Sequence, residues 1–358
     1  MAVISAVQSV LGQYTYAQEE ITTAFGANIS PDGQHVALVE KIHAATGVKQ
    51  RHLVMDFEGY KKLDGFGSAN DAYIQLGADL GAEAIRGALA KANLEPTDID
   101  MVMCVSVTGI AAPSLEALLA RRLGMREDVK RLPIFGLGCV AGAAGIARVR
   151  DYLAGDPNGV AVLLSVELCS LTLQRTDVSI PNVVASGLFG DGAAAVVMLG
   201  EERARRMGIS GPQVVATRSR LYPDTERTMG WDVCDSGFRL FLSANVADVV
   251  SDNLEVDVKG FLADHGLTVP QINRWVCHPG GPKILEAMQD SLSLHDGELE
   301  VTWRSLARIG NLSSASVLHI LQDTMEGRDG AGTPEPGTPG LLMAMGPGFC
   351  AELVLLRW

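Results

Sequence analysis

The run Gly136-Leu137-Gly138-Cys139-Val140-Ala141-Gly142-Ala143-Ala144-Gly145 constrains this chain more than any other stretch, because it sets one reactive side chain among residues too small to cover it. Arg131-Leu132-Pro133-Ile134-Phe135 before it reads as a short strand. Ala141 to Leu153 after it continues at helical spacing through Ile146, Val149 and Tyr152, so Cys139 falls where strand becomes helix. Unpaired backbone N–H groups and the macrodipole at that helix end favour thiolate over thiol, and the flanking glycines let substrate and backbone approach closely. A free cysteine is also a common small core residue, so the reading as a nucleophile depends on partners elsewhere.

Such a turn needs a large interior behind it. With 358 residues, 47% of them hydrophobic, the chain has material for one big domain or two fused halves. Its six cysteines are scattered, with no Cys-x-x-Cys pair, which predicts free thiols in a reducing compartment. The first residues carry no basic leader, and no apolar run approaches the roughly 20 residues of a membrane span, so the expectation is a soluble, cytoplasmic protein. A formal net charge of -13 with no basic tract argues against nucleic acid as a partner. An anionic substrate would then need cations gathered at one mouth, and Lys41, Lys49, Arg51 and Lys283 are the candidates.

Along the chain, Val3 to Val10 predicts an opening strand, and Thr15 with Gln18 three residues on has the form of a capping box opening a helix. Gln34 to Ala45 predicts a helix, followed by a basic loop at Lys49-Gln50-Arg51-His52. Ser68 to Asn93 is the longest helical stretch, ended by Pro96. Ile99 to Val107 and Gly159 to Val166 are apolar runs that suit strands covered on both faces. Pro113 opens a helix to Leu123, and Ser170 to Ser186 reads as a polar, irregular loop long enough to have a function of its own.

One more strand, Gly190 to Leu199, closes the first half, and the second half then replays the pattern. Helices over Val246 to His265, Pro282 to Leu294 and Ser313 to Met325, a Gly/Pro-rich loop from Gly327 to Gly340, and strands Arg274 to Cys277, Leu341 to Met345 and Phe349 to Arg357 are expected. Gly190-Asp191-Gly192 before one strand matches Gly346-Pro347-Gly348 before another, which points to an internal duplication. Alternating helices and apolar strands imply an α/β fold in layers.

Two further places look chemical. Trp275-Val276-Cys277-His278-Pro279-Gly280-Gly281-Pro282 puts a histidine at the end of a strand that Pro279 cannot continue, and Gly310-Asn311-Leu312-Ser313-Ser314-Ala315-Ser316 puts an asparagine before a helix. Singly, a structural histidine and a helix cap explain them. Jointly, Cys139, His278 and Asn311 supply a thiol that accepts an acyl group, an imidazole that stabilises the thiolate, and two donors for an oxyanion. No acidic general base is evident, which suits a carbanion made by loss of CO2.

On these residues the chain resembles the type III polyketide synthases, the chalcone synthase-like branch of the thiolase fold. Gly138-Cys139-Val140-Ala141-Gly142, Leu188-Phe189-Gly190-Asp191-Gly192-Ala193-Ala194, His278-Pro279-Gly280-Gly281-Pro282, Gly310-Asn311-Leu312-Ser313-Ser314-Ala315 and Gly346-Pro347-Gly348 carry the resemblance, in order, over essentially the whole length. It implies a duplicated αβαβα five-layer fold, with an N-terminal half at 1–205 carrying the cysteine and a C-terminal half at 206–358 carrying histidine and asparagine. It further implies a homodimer and no cofactor beyond coenzyme A thioesters. An acyl-CoA starter would load on Cys139, and malonyl-CoA would decarboxylate beside His278 and Asn311.

Phe189 matches an aromatic gatekeeper between the CoA tunnel and the cavity, and Leu240 stands where a second phenylalanine is usual. Val107, Thr108, Ala112 and Cys169 fall at cavity-shaping positions. Gly280, Lys283 and Lys41 fall near the substrate entrance, with Ala45 in place of a second basic residue. The small Ala112, with Thr108 and Cys169, is similar to bacterial synthases that take long acyl chains and release alkyl-α-pyrones, so a medium or long acyl-CoA starter extended by malonyl or methylmalonyl units is the first expectation. A tetrahydroxynaphthalene-type synthase using malonyl-CoA alone is the alternative, weakened by Val107 where those enzymes tend to have cysteine. Ketoacyl synthase III and a catalytically silent ketosynthase-like subunit are the remaining readings.

Overall fold

A computed structural model describes residues 1–358 apart from 31, 329 and 331. Strand β1 (Ala2–Leu11) leads to β2 (Tyr14–Ala17) and helix α1 (Gln18–Ile29). The helix starts later than the sequence implied: Thr15 lies in β2, and the Glu20 carboxylate accepts the Ala17 backbone N–H at 2.7 Å, so the reach-back closes on Ala17. Next come α2 (Val36–Ala45) and β3 (Gln50–Leu53). The basic segment expected as a loop is thus a strand, paired to β2 with Arg51 and Leu53 facing inward.

Helices α3 (Phe57–Lys61) and α4 (Phe66–Ala92) follow, the latter ending at Asn93 in the left-handed conformation (φ 53°), three residues before Pro96. Then come β4 (Met101–Ser106), α5 (Leu115–Leu123), β5 (Lys130–Phe135), α6 (Ala141–Gly155), β6 (Val160–Leu168), α7 (Ile180–Leu188) and β7 (Asp191–Gly200). The segment read as irregular from Ser170 to Ser186 therefore contains most of a helix, entered through Ser179 with Pro181 in its first turn.

The remainder is α8 (Glu201–Met207), β8 (Gln213–Leu221), a hairpin of β9 (Met229–Cys234) and β10 (Gly237–Leu242), α9 (Val246–Ala263), β11 (Arg274–Cys277), α10 (Pro282–Leu292), α11 (Glu300–Ile309), α12 (Ser316–Met325), β12 (Pro339–Gly346) and β13 (Cys350–Arg357). The expected loop from 327 to 340 lies partly outside the described residues.

Nine strands form one sheet in the order β11-β12-β13-β8-β1-β7-β6-β4-β5. Its halves carry the same pairing. In one, β4 runs parallel to β6, β6 antiparallel to β7 and β7 antiparallel to β1. In the other, β11 runs parallel to β12, β12 antiparallel to β13 and β13 antiparallel to β8. The two join where Ala2 and Val3 pair with Val214 and Gln213. Only β5, parallel to β4, has no counterpart.

The strand period of two sorts side chains into layers. On β7, Ala193, Ala195, Val197 and Leu199 join the core under α4 and α5, while Ala194, Val196 and Met198 face a central core containing α6 and α12. On β12, Leu342 and Ala344 face the same central core, and Leu341, Met343 and Met345 face α9 and α10. Covering on both faces explains why β4, β6 and β7 are apolar without a break. The result is the thiolase-like, five-layered α/β architecture, with α6 and α12 packed together at its centre.

Candidate active site

The two central helices present their N-terminal ends to one buried place. Gly138–Val140 forms a single 3-10 turn that runs into α6, so Cys139 stands at the helix start, 6% exposed. Gly138 needs its lack of a side chain twice over: its φ is +57°, and a Cβ there would lie 2.7 Å from the Pro347 ring. That contact seats the Gly346-Pro347-Gly348 turn against the cysteine.

Asn311 and Ser313 lead into α12 in the corresponding way. The Cys139 thiol donates to Ser313 Oγ at 3.6 Å, and the Ser313 backbone N–H donates to Asn311 Oδ1 at 2.8 Å, which fixes the amide. Asn311 Nδ2 lies 3.5 Å from His278 Nε2. His278 follows β11, is 3% exposed, and its Nδ1 has no hydrogen-bond partner among the described residues. Cys139, His278 and Asn311 are therefore brought together, with Ser313 as the bridge. Ser313 was legible as part of the Asn311 to Ser316 run without a role of its own.

Burial sets the charge state. It pushes the Cys139 thiol up to about 12, against a smaller lowering from the Ser313 hydrogen bond, and holds the His278 imidazole down to about 3. Burial therefore opposes the thiolate that the helix position favours. A neutral imidazole and a primary amide side by side also offer N–H groups to a developing oxyanion without a net charge.

Behind this place lies Glu167, fully buried at the end of β6, which sequence reasoning passed over although it is the one charged residue in that apolar run. It accepts from the Val107 N–H at 3.1 Å, from the Thr108 hydroxyl at 2.9 Å and from the Ser314 hydroxyl. Burial raises its pKa to about 7. Val107 and Thr108 are thereby committed to Glu167, and they do not line the adjoining cavity.

That cavity, of about 520 Å³, is lined by Phe189, Leu240 and Cys169, together with Phe25, Arg51, Tyr60, Ser170, Gln174 and Trp231 among others. Cys139, His278 and Asn311 are not in its lining. Phe189 connects the two places: it borders the cavity, and its segment bridges to Asn311, with Asn311 N donating to Leu188 O at 2.9 Å and Gly190 N to Asn311 O at 3.0 Å.

Other expected site residues lie outside. Ala112 is exposed on the loop before α5 and does not border the cavity. Gly280 donates its N–H to the His278 carbonyl at 3.0 Å. Lys41, Lys49 and Lys283 are exposed, and a Cβ on Gly47 would meet the Pro282 ring, which brings the segment before Lys49 against the start of α10. Arg51, grouped with them by charge, is instead 2% exposed. It donates from Nη1 to the Phe189 carbonyl at 2.9 Å and from Nε to Gln18 at 3.1 Å, so it braces the Phe189 segment and is no surface cation.

A buried cysteine at the start of one central helix, with a histidine and an asparagine from later in the chain beside it, in this five-layered fold, is an arrangement that suits a condensing enzyme moving acyl groups. Residues 13–212 match the family profile described as FAE1/Type III polyketide synthase-like protein, and residues 213–358 match Chalcone and stilbene synthases, C-terminal domain. The chain belongs to the type III polyketide synthases.

It is 53% identical to a 1,3,6,8-tetrahydroxynaphthalene synthase of Streptomyces peucetius subsp. caesius over 99% of this chain and 93% of that one. It is 34% identical to a putative chalcone synthase of Bacillus subtilis (strain 168), over 87% of this chain and 86% of that one. The crystal structure of 1,3,6,8-tetrahydroxynaphthalene synthase from Streptomyces coelicolor A3(2) superposes with a TM-score of 0.92 at 31% identity, covering 99% of both chains. No helix among the described residues is long and apolar enough to cross a membrane.

Proposed function

We propose that the chain condenses malonyl-CoA with itself, malonyl serving as both starter and extender, to give 1,3,6,8-tetrahydroxynaphthalene or a closely related fused phenolic. The observation that carries this is the 53% identity, over nearly the full length of both chains, to a synthase of that product. The cavity is compatible with it: among apolar neighbours, Tyr60, Ser170 and Ser236 border the space, so its wall accommodates a chain that carries oxygens.

In this reading the proton of Cys139 Sγ passes to His278, Sγ attacks the starter thioester, the bond to the CoA sulfur breaks, and His278 hands that same proton to the departing sulfur so that coenzyme A leaves as the thiol. A malonyl thioester then sets its carbonyl oxygen between His278 Nε2 and Asn311 Nδ2. The bond to the carboxylate breaks, CO2 departs, and the electron pair is held as an enolate by the two N–H donors. The enolate carbon attacks the acyl carbonyl, Sγ leaves, and the lengthened chain transfers back to Cys139 for the next round. Phe189 and Leu240 would border the passage between the CoA arm and the growing chain. We further propose that two copies pair through the edge strand β5, whose Leu132 and Phe135 are 41% and 48% exposed in the single chain, and that the halves 1–205 and 206–358 remain the functional division.

A medium or long acyl-CoA starter released as an alkyl-α-pyrone is the second reading, favoured by Leu240 in the cavity wall where a bulkier phenylalanine is usual and by the apolar Ile21, Phe25, Leu53 and Leu63 beside it. Each CH2 buried there would contribute about 0.8 kcal/mol to starter selection. Purified protein given malonyl-CoA alone should yield an aromatic product by mass spectrometry. Pyrone from lauroyl-CoA plus malonyl-CoA, with no product from malonyl-CoA alone, would install the second reading. Lys41, exposed on α2, is the cation proposed to meet the CoA phosphates. Lys41→Ala should raise the malonyl-CoA KM about threefold to tenfold with little change in kcat, and an unmoved KM removes it from that role.

A further inference from the structure

Part of the cavity wall is a hairpin that stands outside the main sheet, with Met229 and Leu242 packed on the C-terminal core and Phe238 beside Phe135. Strands β9 and β10 pair only with each other, outside the nine-stranded sheet, yet they and their turn supply Trp231, Ser236 and Leu240 to the lining. A lone two-stranded hairpin is marginal in water, so its place relative to the rest of the protein depends on its anchors.

One anchor is Phe238, 3% exposed and edge-on to Phe66 at 5.1 Å. Another is Gln174, in the polar segment between β6 and α7. Its Nε2 donates to the carbonyls of Ser236 at 3.4 Å, Phe238 at 3.2 Å and Thr172 at 3.3 Å, and its Oε1 accepts the Ser236 hydroxyl at 2.6 Å. Asn182 of α7 holds Gln174 in turn, accepting its backbone N–H at 3.3 Å and donating to its carbonyl at 2.7 Å. One amide therefore bolts the hairpin to the segment that begins at Cys169. Its donors and its acceptor are all engaged within the protein, so whatever it does to a substrate it does through the hairpin.

We infer that Gln174 is the positioning residue that fixes the depth of the cavity and so the number of extension rounds completed before the chain cyclises. The inference rests on the reading above, that a polyketide grows from Cys139 into this cavity. A growing chain stops extending when the wall no longer admits another two-carbon unit, so the side chain that makes the polar bonds between hairpin and cavity segment sets product length through the place it gives the hairpin. Removing the amide leaves the Ser236 and Phe238 carbonyls without their donor, and the hairpin must shift to hydrate them.

Gln174→Ala takes away every side-chain bond of Gln174 and keeps the two that its backbone makes with Asn182. Gln174→Glu keeps an acceptor for the Ser236 hydroxyl but sets a carboxylate against the two carbonyls. Products formed from malonyl-CoA, and from hexanoyl-CoA with malonyl-CoA, are quantified by liquid chromatography and mass spectrometry as ratios between chain lengths. In both variants the ratio should move about fivefold or more from wild type, while the malonyl-CoA KM moves less than about threefold. Ratios held within about twofold overturn the inference, as does a proportional fall of every product, which marks a merely structural residue. If Gln174→Ala does not fold, Gln174→Glu and Ser236→Ala carry the same decision. Wild-type protein that makes no polyketide from any thioester overturns both this inference and the function; a productive wild type with unmoved variant ratios overturns this inference alone.

Discussion

Cys139→Ala should lose polyketide formation by about three orders of magnitude or more yet still convert malonyl-CoA to acetyl-CoA, whereas Asn311→Ala should lose both. The separation follows from which atoms each step uses. Chain transfer needs the sulfur. Decarboxylation needs donors for the enolate oxygen, and those belong to His278 and Asn311, 3.5 Å apart and held independently of the thiol by the Ser313 N–H on Asn311 Oδ1. His278→Ala should fail at both steps and, with the proton acceptor gone from a thiol that burial already pushes up to about 12, should also slow alkylation of Cys139 by iodoacetamide at neutral pH by about tenfold. Acetyl-CoA and CO2 release, product mass and adduct mass on Cys139 read the three outcomes. Decarboxylation at the wild-type rate in Asn311→Ala would sink the assignment of its amide to the enolate.

Much of this site was legible before any coordinates. Cys139 stood out because small residues surround a reactive one, and the strand-to-helix turn is where the sequence pattern put it. The central strands were readable because burial on both faces leaves no polar phase. The duplication announced itself in two glycine turns, and the pairing of β8, β11, β12 and β13 repeats that of β1, β4, β6 and β7. What escaped was set by tertiary partners. Arg51 looks like one cation in a basic tract, and only its alternation with Leu53 hints at an inward face; Gln18 and Phe189, distant in sequence, are what it bonds. The later start of α1 turned on whether Gln18 or Glu20 closes the reach-back, and pairing of Thr15 to His52 in a strand decided it. Strands β8 to β10 were missed because half their residues face solvent and mix charge with apolar side chains. The product is the least legible of all: Ala112 suggested room for a long starter, yet it faces outward in the single chain, and part of the cavity wall comes from a hairpin that no motif marks.

Gly142→Ala should damage both stability and turnover, against the ordinary sign for that substitution. Inside a helix the change normally stabilises by about 0.5–1 kcal/mol, because glycine loses more backbone freedom on folding. Here an added Cβ would stand 2.3 Å from the Ser314 carbonyl oxygen and 2.6 Å from a Val317 methyl, so α6 and α12 can accept it only by moving apart. Backbone gives less readily than a side chain, and overpacking of this kind costs about 1–3 kcal/mol, enough to reverse the sign. The displacement also falls where it matters. Ser314 adjoins Ser313, which bonds the Cys139 thiol and orients Asn311, so widening the gap carries the amide away from the sulfur. A shift approaching 1 Å at reacting groups costs about a hundredfold in rate. Gly155, at the end of the same helix, is the control, since a methyl there meets nothing within 4 Å. Gly155→Ala should keep kcat and leave the melting temperature equal or higher. Gly142→Ala should melt several degrees lower, at roughly 2–4 °C per kcal/mol for a chain of this size or somewhat smaller, and lose turnover with its malonyl-CoA KM changed much less. Equal melting and equal kcat in the two variants would show that the central helices do not hold the reactive groups together by close contact, and the geometry assigned to Cys139 and Asn311 would have to be abandoned.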